Sequence, residues 1–459
     1  MIGLVDGNNF YVSCERVFDP SLEGKPVAVM SNNDGCCISR SYEFKALGIP
    51  MGTPFFQLKP LIPKHGLILK SSNYELYGDL SRRVIATLST FTPDVEQYSI
   101  DEAFIHVTLP SGSDYFEFGR KVRQTVLQWV GIPCGVGFAK SKTLAKIANH
   151  IGKKLPTGVF VMPDDPRPVL EKLPVSEVWG VGGRLTARLE KLGIRTAWQL
   201  ACADTGDIRR NFSIILSKTV LELRGEPVIE HEDPDALSQS ISHSRTFGKP
   251  VTEFDDLVES VCTYTAKAAE KLRKEHQRAA GVNVYFQYYP EYEPRRLDGG
   301  FTSTTINFET PTNNTGRMLS AITPKLRGIF IPGRRFKKSG VLFFGLESEE
   351  NRQIDLFADT KGEEKDDRLS KALDAINAKF GRGTIFHLSE GITKPWQMRR
   401  DMLISNYNTS WSQVPGGKVK GARSGSSGCC ALVPVQGVQG LTFTPMETYF
   451  FYARKLGFL

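Results

Sequence analysis

The first apolar run, Ile2 to Val5, is short and ends at Asp6, the pattern of a buried strand whose end reaches a polar edge. A second apolar run, Pro26 to Met30, reads as another strand. From Ser71 to Phe91 the period changes. Leu76, Leu80, Val84 and Leu88 recur every four residues, which predicts a helix, and Ser72 with Glu75 forms a capping-box pattern at its start. Asp94 to Ile100 and Glu102 to Leu109 alternate like the two arms of a hairpin. Ser113 to Gly131 predicts a helix capped by Ser113 and stopped by Gly131, and Ile132 to Ala139 predicts a further strand. Strand, helix, strand, strand, helix, strand is the split βαβ, ferredoxin-like plan. A long insert, roughly residues 11–70, separates its first strand from its first helix.

That plan has a chemical consequence. It brings Asp6, at the end of the first strand, to the same sheet as Asp101 and Glu102 in the hairpin. Three acids without a basic partner are costly, and hard divalent cations such as Mg²⁺ remove that cost. Two such ions suit an in-line phosphoryl transfer. A solvated acidic turn accounts for Asp101 and Glu102 alone, but not for Asp6 at a buried strand's end.

Downstream, Val178 to Ile194 predicts a helix-hairpin-helix, with the hairpin at Gly180–Gly182. Backbone N–H groups at such a hairpin hold phosphate without reading bases. The alternative is an ordinary glycine turn between packed helices. A polar linker follows Glu230, then a long helix over 253–277 and two alternating stretches over 281–290 and 299–308. From Thr310 to Leu346 there are seven basic residues, among them Arg334, Arg335 and Lys337, and no acid. Such a stretch suits a nucleic-acid backbone, or is a solvated face.

Bulk properties narrow the classes. The 459 residues are too many for one core, and the net charge of +8 is a mild pointer to a polyanionic partner. Eight cysteines show no CxxC pair, so neither a zinc ribbon nor a secreted disulfide framework is expected, and reduced cytosolic thiols are. The start, "MIGLVDGNNF", lacks a basic leader, and no apolar stretch is long enough to span a bilayer.

The strings "DGNNFYVSCE", "SNNDGCCISRS", "KALGIPMG", "SSNYELYGDLS", "YSIDEAF", "KTLAKIANH", "VWGVG", "LRGEP", "SRTFG" and "WQMRRDML" run in order from residue 1 to about residue 411. In them the chain resembles the Y-family DNA polymerases, specifically the UmuC-like branch. The resemblance implies an α+β right-hand polymerase. Its ferredoxin-like palm would occupy 1–10 and 71–165, and small fingers 11–70. A helix-hairpin-helix thumb would occupy 166–233, a linker 234–241, an α/β little finger 242–346 and a C-terminal region 347–459. It also implies error-prone translesion synthesis in a bacterial SOS response, in the cytoplasm. The metal-binding catalytic acids would be Asp6, Asp101 and Glu102, holding two Mg²⁺ ions. Tyr11 would be the steric gate against a 2′-hydroxyl, although by itself it reads as core packing. Phe10 and Tyr11 (through their amides), Tyr42, Lys45 and Lys153 would contact the incoming deoxynucleoside triphosphate. Lys154 is an alternative to Lys153, and a solvated helix end is the bland reading of both. Gly180, Gly182, Arg334, Arg335 and Lys337 would bind primer-template DNA.

"QIDLF", in a charged run, resembles a sliding-clamp motif, with Gln353 for hydrogen bonds and Leu356 and Phe357 as apolar anchors. A short edge strand is the competing reading. The resemblance further implies a UmuD-like subunit and a RecA filament as partners. It fades after Trp411, where a Gly/Ser/Lys stretch leads to an aromatic end. Two other functions compete: a non-catalytic clamp-associated DNA-binding protein on a polymerase fold, and a two-metal nuclease.

Overall fold

The computed structural model describes residues 1–231, 237–290, 300–351, 360–381 and 383–403. Twelve strands are described: β1 (Ile2–Gly7), β2 (Val27–Met30), β3 (Cys37–Arg40), β4 (Ile68–Ser71), β5 (Val95–Gln97), β6 (Glu102–His106), β7 (Cys134–Ala139), β8 (Val159–Val161), β9 (Ile241–Val251), β10 (Gln277–Tyr288), β11 (Phe301–Thr312) and β12 (Phe336–Ser348). The chain forms two compact units, one of residues 1–29 and 37–231 with 402 and 403, the other of residues 30–36 and 237–401.

In the first unit a five-stranded sheet runs β5-β6-β1-β7-β8. β1 pairs antiparallel with both β6 and β7, which is the ferredoxin-like order, and β8 adds a parallel edge. Strand alternation divides the sheet between two cores. Val5, Ala103, Ile105, Val136 and Phe138 face Leu76, Leu80 and Val126 of the helices Tyr74–Leu88 and Tyr115–Val130. Ile2, Leu4, Phe104 and Ala139 belong to the other core, with Leu144, Ala145, Ile147 and Ala148 of the helix Lys142–Gly152. That helix sits unusually close to the sheet. A Cβ on Gly137 would lie 2.0 Å from the Asn149 backbone nitrogen, so only glycine fits there. Asn149 then reaches down, its Nδ2 donating to the carbonyls of Leu4 and Gly135.

Two expected caps are corrected. Asn73, not Ser72, caps the Tyr74–Leu88 helix, its side chain accepting from the Leu76 N–H at 3.2 Å. Asp114, not Ser113, caps the Tyr115–Val130 helix through the Phe116 N–H at 2.8 Å. In each case the residue one later has the oxygen within reach of a free first-turn donor. The insert supplies a helix, Phe10–Phe18, and a three-stranded sheet β3-β2-β4. Before Gly180 the expected full helix is a single 3₁₀ turn, Val175–Glu177, and after it a helix runs Gly183–Lys191.

The second unit is a four-stranded antiparallel sheet, β11-β10-β12-β9, packed against the helices Phe254–Lys274 and Thr315–Ile322. Residues 352–359, which include Gln353, Leu356 and Phe357, lie outside the described residues, as does the chain beyond 403. Among the described residues no helix is long and apolar enough to cross a membrane.

Candidate active site

The β1–β6 ladder places Asp6 directly opposite Glu102, and the Gly7 N–H donates to the Asp101 carbonyl at 2.8 Å. Strand pairing alone therefore brings the three sequence-predicted acids to one corner of the sheet. Ser99 shapes the turn: its Oγ accepts from the Asp101 and Glu102 N–H groups and donates to Asp101 Oδ1 at 2.6 Å. Asp6 is mostly buried, and burial pushes its carboxyl up to about 6 against the pull of Lys153, with Glu102 and Asp101 adding to the rise.

The acids are not without basic partners, and that expectation is corrected. Lys153 Nζ lies 2.5 Å from Asp6 Oδ2, and Lys146 Nζ contacts both oxygens of Glu102 at 3.0 and 3.1 Å. The reason is the helix Lys142–Gly152, whose close approach carries Lys146, and at its C-cap Lys153, to the sheet's acidic corner. Among the described residues no three carboxylate, imidazole or thiol groups converge as a ready-made metal cage. Lys146 is also ringed by aromatics: Tyr98 at 4.3 Å, Trp179 at 5.0 Å and Phe104 at 5.9 Å from its Nζ to the ring centroids. Nothing in residue spacing announces Ser99, Lys146 or this sleeve.

Tyr11 and Phe10 open the helix Phe10–Phe18, after Asn9 in the left-handed region (φ 49°). The Tyr11 ring stacks on Tyr77 at 4.6 Å and meets Tyr74 edge-on at 5.8 Å. Burial raises its hydroxyl to about 12, so the ring stays neutral. Lys45 Nζ donates to Asn9 Oδ1 and lies 5.1 Å from the ring centroid of exposed Tyr42. Burial lowers the Lys45 pKa, helped by Arg40 and Lys153 and opposed by Asp6.

Beneath Tyr77, Glu15 is fully buried and accepts a 2.6 Å hydrogen bond from the Tyr77 hydroxyl. Burial pushes Glu15 up from 4.5 to about 7, opposed by Tyr77 and Lys70 and assisted by Asp19. The sign follows. A carboxyl raised on folding stabilises most below pH 4.5, and that contribution is lost as pH rises through 7. Glu15→Gln is therefore expected to be more stable than wild type at pH 8 by roughly 2 kcal/mol, with the gap closing by pH 5. Thermal unfolding at the two pH values measures it; a gap independent of pH would contradict it.

Family models match this chain in three consecutive stretches: the impB/mucB/samB family over residues 5–150, the same family's HHH motif over 163–194 and its C-terminal domain over 238–356. A domain of unknown function matches residues 367–416. Protein UmuC of Salmonella typhimurium is 41% identical over 90% of this chain and 99% of its own length. Protein MucB of Escherichia coli is 37% identical over 92% of this chain and the whole of its own. The chain belongs to the UmuC-like Y-family DNA polymerases. DNA polymerase IV of Desulfatibacillum aliphaticivorans is 29% identical over 83% of this chain and 94% of its own. Among solved structures, a Y-family polymerase chimera of Dbh and Dpo4 superposes with a TM-score of 0.61, covering 76% of this chain and all of its own. At 22% identity it speaks to the fold alone, which is the Y-family right hand. The protein is thus a translesion DNA polymerase of the SOS type, and the non-catalytic reading is not favoured.

In this polymerase the other predicted DNA contacts divide. Gly180 has φ +84° and open space where a Cβ would stand, and Gly182 is the N-cap of the helix Gly183–Lys191. In the second unit Arg334 lies over Tyr288, Arg335 and Lys337 over Tyr289, and Lys338 over Tyr285, a band of cations on aromatic rings. Arg317 differs: it pairs with Asp366 at 2.7 Å, an acid from outside the basic stretch.

Proposed function

We propose that Asp6, Asp101 and Glu102 hold two Mg²⁺ ions and that at these carboxylates a deoxynucleotide is joined to a primer 3′-hydroxyl. The observation that carries this is Asp6 facing Glu102 at the end of the ladder between two inner strands, mostly buried and with its carboxyl raised to about 6. A buried carboxylate beside two other acids is under-compensated by lysine alone, and hard oxygen donors of this kind fit a small divalent cation. When bound, the ions supply the charge that favours primer attack and pyrophosphate departure.

The chain's own residues position the partners. Lys153 and Lys45 would meet the triphosphate, Lys45 through one point contact rather than a bidentate fork. Lys153 rather than Lys154 is favoured, because it already reaches Asp6. The Phe10 and Tyr11 amides open a helix, where anions are favoured, and the Tyr11 ring stands as the sugar gate. Primer-template DNA would be held at Gly180 and Gly182 and by the Arg334, Arg335 and Lys337 band. The palm is assigned to 1–10 and 71–165, the fingers to 11–70, the thumb to 166–233 and the little finger to 242–346. Gln353, Leu356 and Phe357 are proposed to dock a sliding clamp. A UmuD-like subunit and a RecA filament are the remaining proposed partners, in the cytoplasm.

Primer extension with the purified full chain, Mg²⁺ and four deoxynucleotides, with and without clamp, tests this. Extension is expected, and the clamp should lengthen products in wild type but not in Phe357→Ala. If clamp and UmuD-like partner are both supplied, DNA binds and nothing extends, the reading is wrong.

A further inference from the structure

The proposed gate residue rests on an internal prop whose far end is a buried carboxyl that packing does not require. Tyr11 and Glu15 are four residues apart on the helix Phe10–Phe18 and so share a face. Tyr77, from the helix Tyr74–Leu88, meets both. Its ring lies flat against Tyr11, at 4.6 Å and 16° between planes, and its hydroxyl donates to Glu15 Oε1 at 2.6 Å. Tyr77 and Glu15 are both wholly inaccessible to solvent. The second Glu15 oxygen, Oε2, is buried without a hydrogen-bond partner among the described residues.

A carboxyl in this place is costly, and a leucine would fill the volume without that cost. What the carboxyl provides and leucine cannot is a fixed acceptor for the Tyr77 hydroxyl. A phenol O–H prefers the plane of its ring, so a fixed acceptor favours one rotation of the Tyr77 ring and with it one plane for Tyr11 to stack on. Telling hydrogen from hydroxyl at one sugar carbon requires the discriminating ring to be held within a fraction of an ångström.

We propose that Glu15 is a positioning residue for sugar selection, acting through the Tyr77 hydroxyl to fix the plane on which Tyr11 is stacked. The inference rests on Tyr11 being the gate. It adds that the gate's accuracy is set by a residue that touches neither nucleotide nor metal. The uncompensated Glu15 Oε2 is consistent with a carboxyl kept for one hydrogen bond rather than for an ion pair.

The test is single-nucleotide incorporation by the full chain with matched deoxy- and ribonucleotides, for wild type, Tyr11→Ala, Glu15→Leu, Glu15→Gln and Tyr77→Phe. Folding is checked by circular dichroism and thermal melting. The discrimination ratio, kcat/KM for deoxy over ribo, is expected to fall about fivefold to tenfold in Glu15→Leu and Tyr77→Phe, the range one buried hydrogen bond supports. It should hold in Glu15→Gln, whose amide oxygen can still accept from Tyr77. A residue that merely held the helix together would lower deoxynucleotide kcat and the melting temperature and leave the ratio alone. Tyr11→Ala relaxing the ratio while folded Glu15→Leu keeps it would overturn the proposal and spare the gate. An intact ratio in Tyr11→Ala would remove the gate itself, and the proposal with it. Should Glu15→Leu not fold, Tyr77→Phe decides, an intact ratio counting against the proposal. Equal loss in Glu15→Gln and Glu15→Leu would rule out the hydrogen bond as the cause.

Discussion

Asp101→Ala and Glu102→Ala each lower nucleotide incorporation by about a thousandfold or more, the scale set when a charge-stabilising group is taken from a reaction centre. DNA affinity is expected to hold or rise slightly in both. The two effects separate because they have different sources. On the proposed reading catalysis needs the carboxylates as cation ligands, whereas DNA phosphates are repelled by the same negative charges. Removing Glu102 also frees the Lys146 ammonium, which now contacts both carboxylate oxygens and sits among Tyr98, Trp179 and Phe104. The fold should tolerate the changes. Ser99 accepts from the backbone N–H groups of Asp101 and Glu102, which both variants keep, so the hairpin holds its shape although Asp101→Ala loses the bond from Ser99 Oγ to Asp101 Oδ1. Incorporation and fluorescence-anisotropy DNA binding on the same preparations give both numbers. Parallel loss of binding and incorporation would mean that the acids support the structure, and the metal-site reading would fail.

Much of this corner was legible in the sequence because it follows from topology. Alternation in Glu102 to Leu109 and a buried run ending at Asp6 fix two strands, and the ferredoxin-like order makes them neighbours. Their pairing then sets Asp6 opposite Glu102. The lysines were not legible in the same way. Lys146 and Lys153 reach the acids because Gly137 and Asn149 let one helix settle almost onto the sheet, a distance that no periodicity encodes. The same holds for Arg317: its partner Asp366 lies 49 residues away, so a stretch that reads as purely basic carries a neutralised member. The caps failed by one residue for a smaller reason. Ser72 and Asn73, like Ser113 and Asp114, are all good cap residues, and only the local backbone selects between neighbours. Glu15 reads in sequence as one more polar position on a short helix. Its burial and its bond to Tyr77 exist only once two helices pack.

Tyr11→Ala raises ribonucleotide incorporation relative to deoxynucleotide by about a hundredfold, and Tyr11→Phe does not, as expected if the ring's bulk rather than its hydroxyl does the excluding. The environment of the ring explains both halves. The hydroxyl is raised to about 12 by burial and stays neutral, so it contributes no charge that a phenylalanine would remove. The ring is fixed on one side by stacking on Tyr77 and on another by the edge of Tyr74. It cannot swing aside to admit a 2′-hydroxyl without giving up those contacts, each worth about 1 kcal/mol. Truncation to alanine opens that space and leaves Tyr74 and Tyr77 in T-shaped contact with each other at 6.1 Å, so the wall behind the gate survives. Deoxynucleotide incorporation by Tyr11→Ala should therefore fall much less than its selectivity. The measurement is the ratio of kcat/KM for matched deoxy- and ribonucleotides at one template base. A ratio equal to wild type in the alanine variant would take Tyr11 out of sugar selection. A loss in the phenylalanine variant as large as in alanine would shift the discrimination from the ring to its hydroxyl.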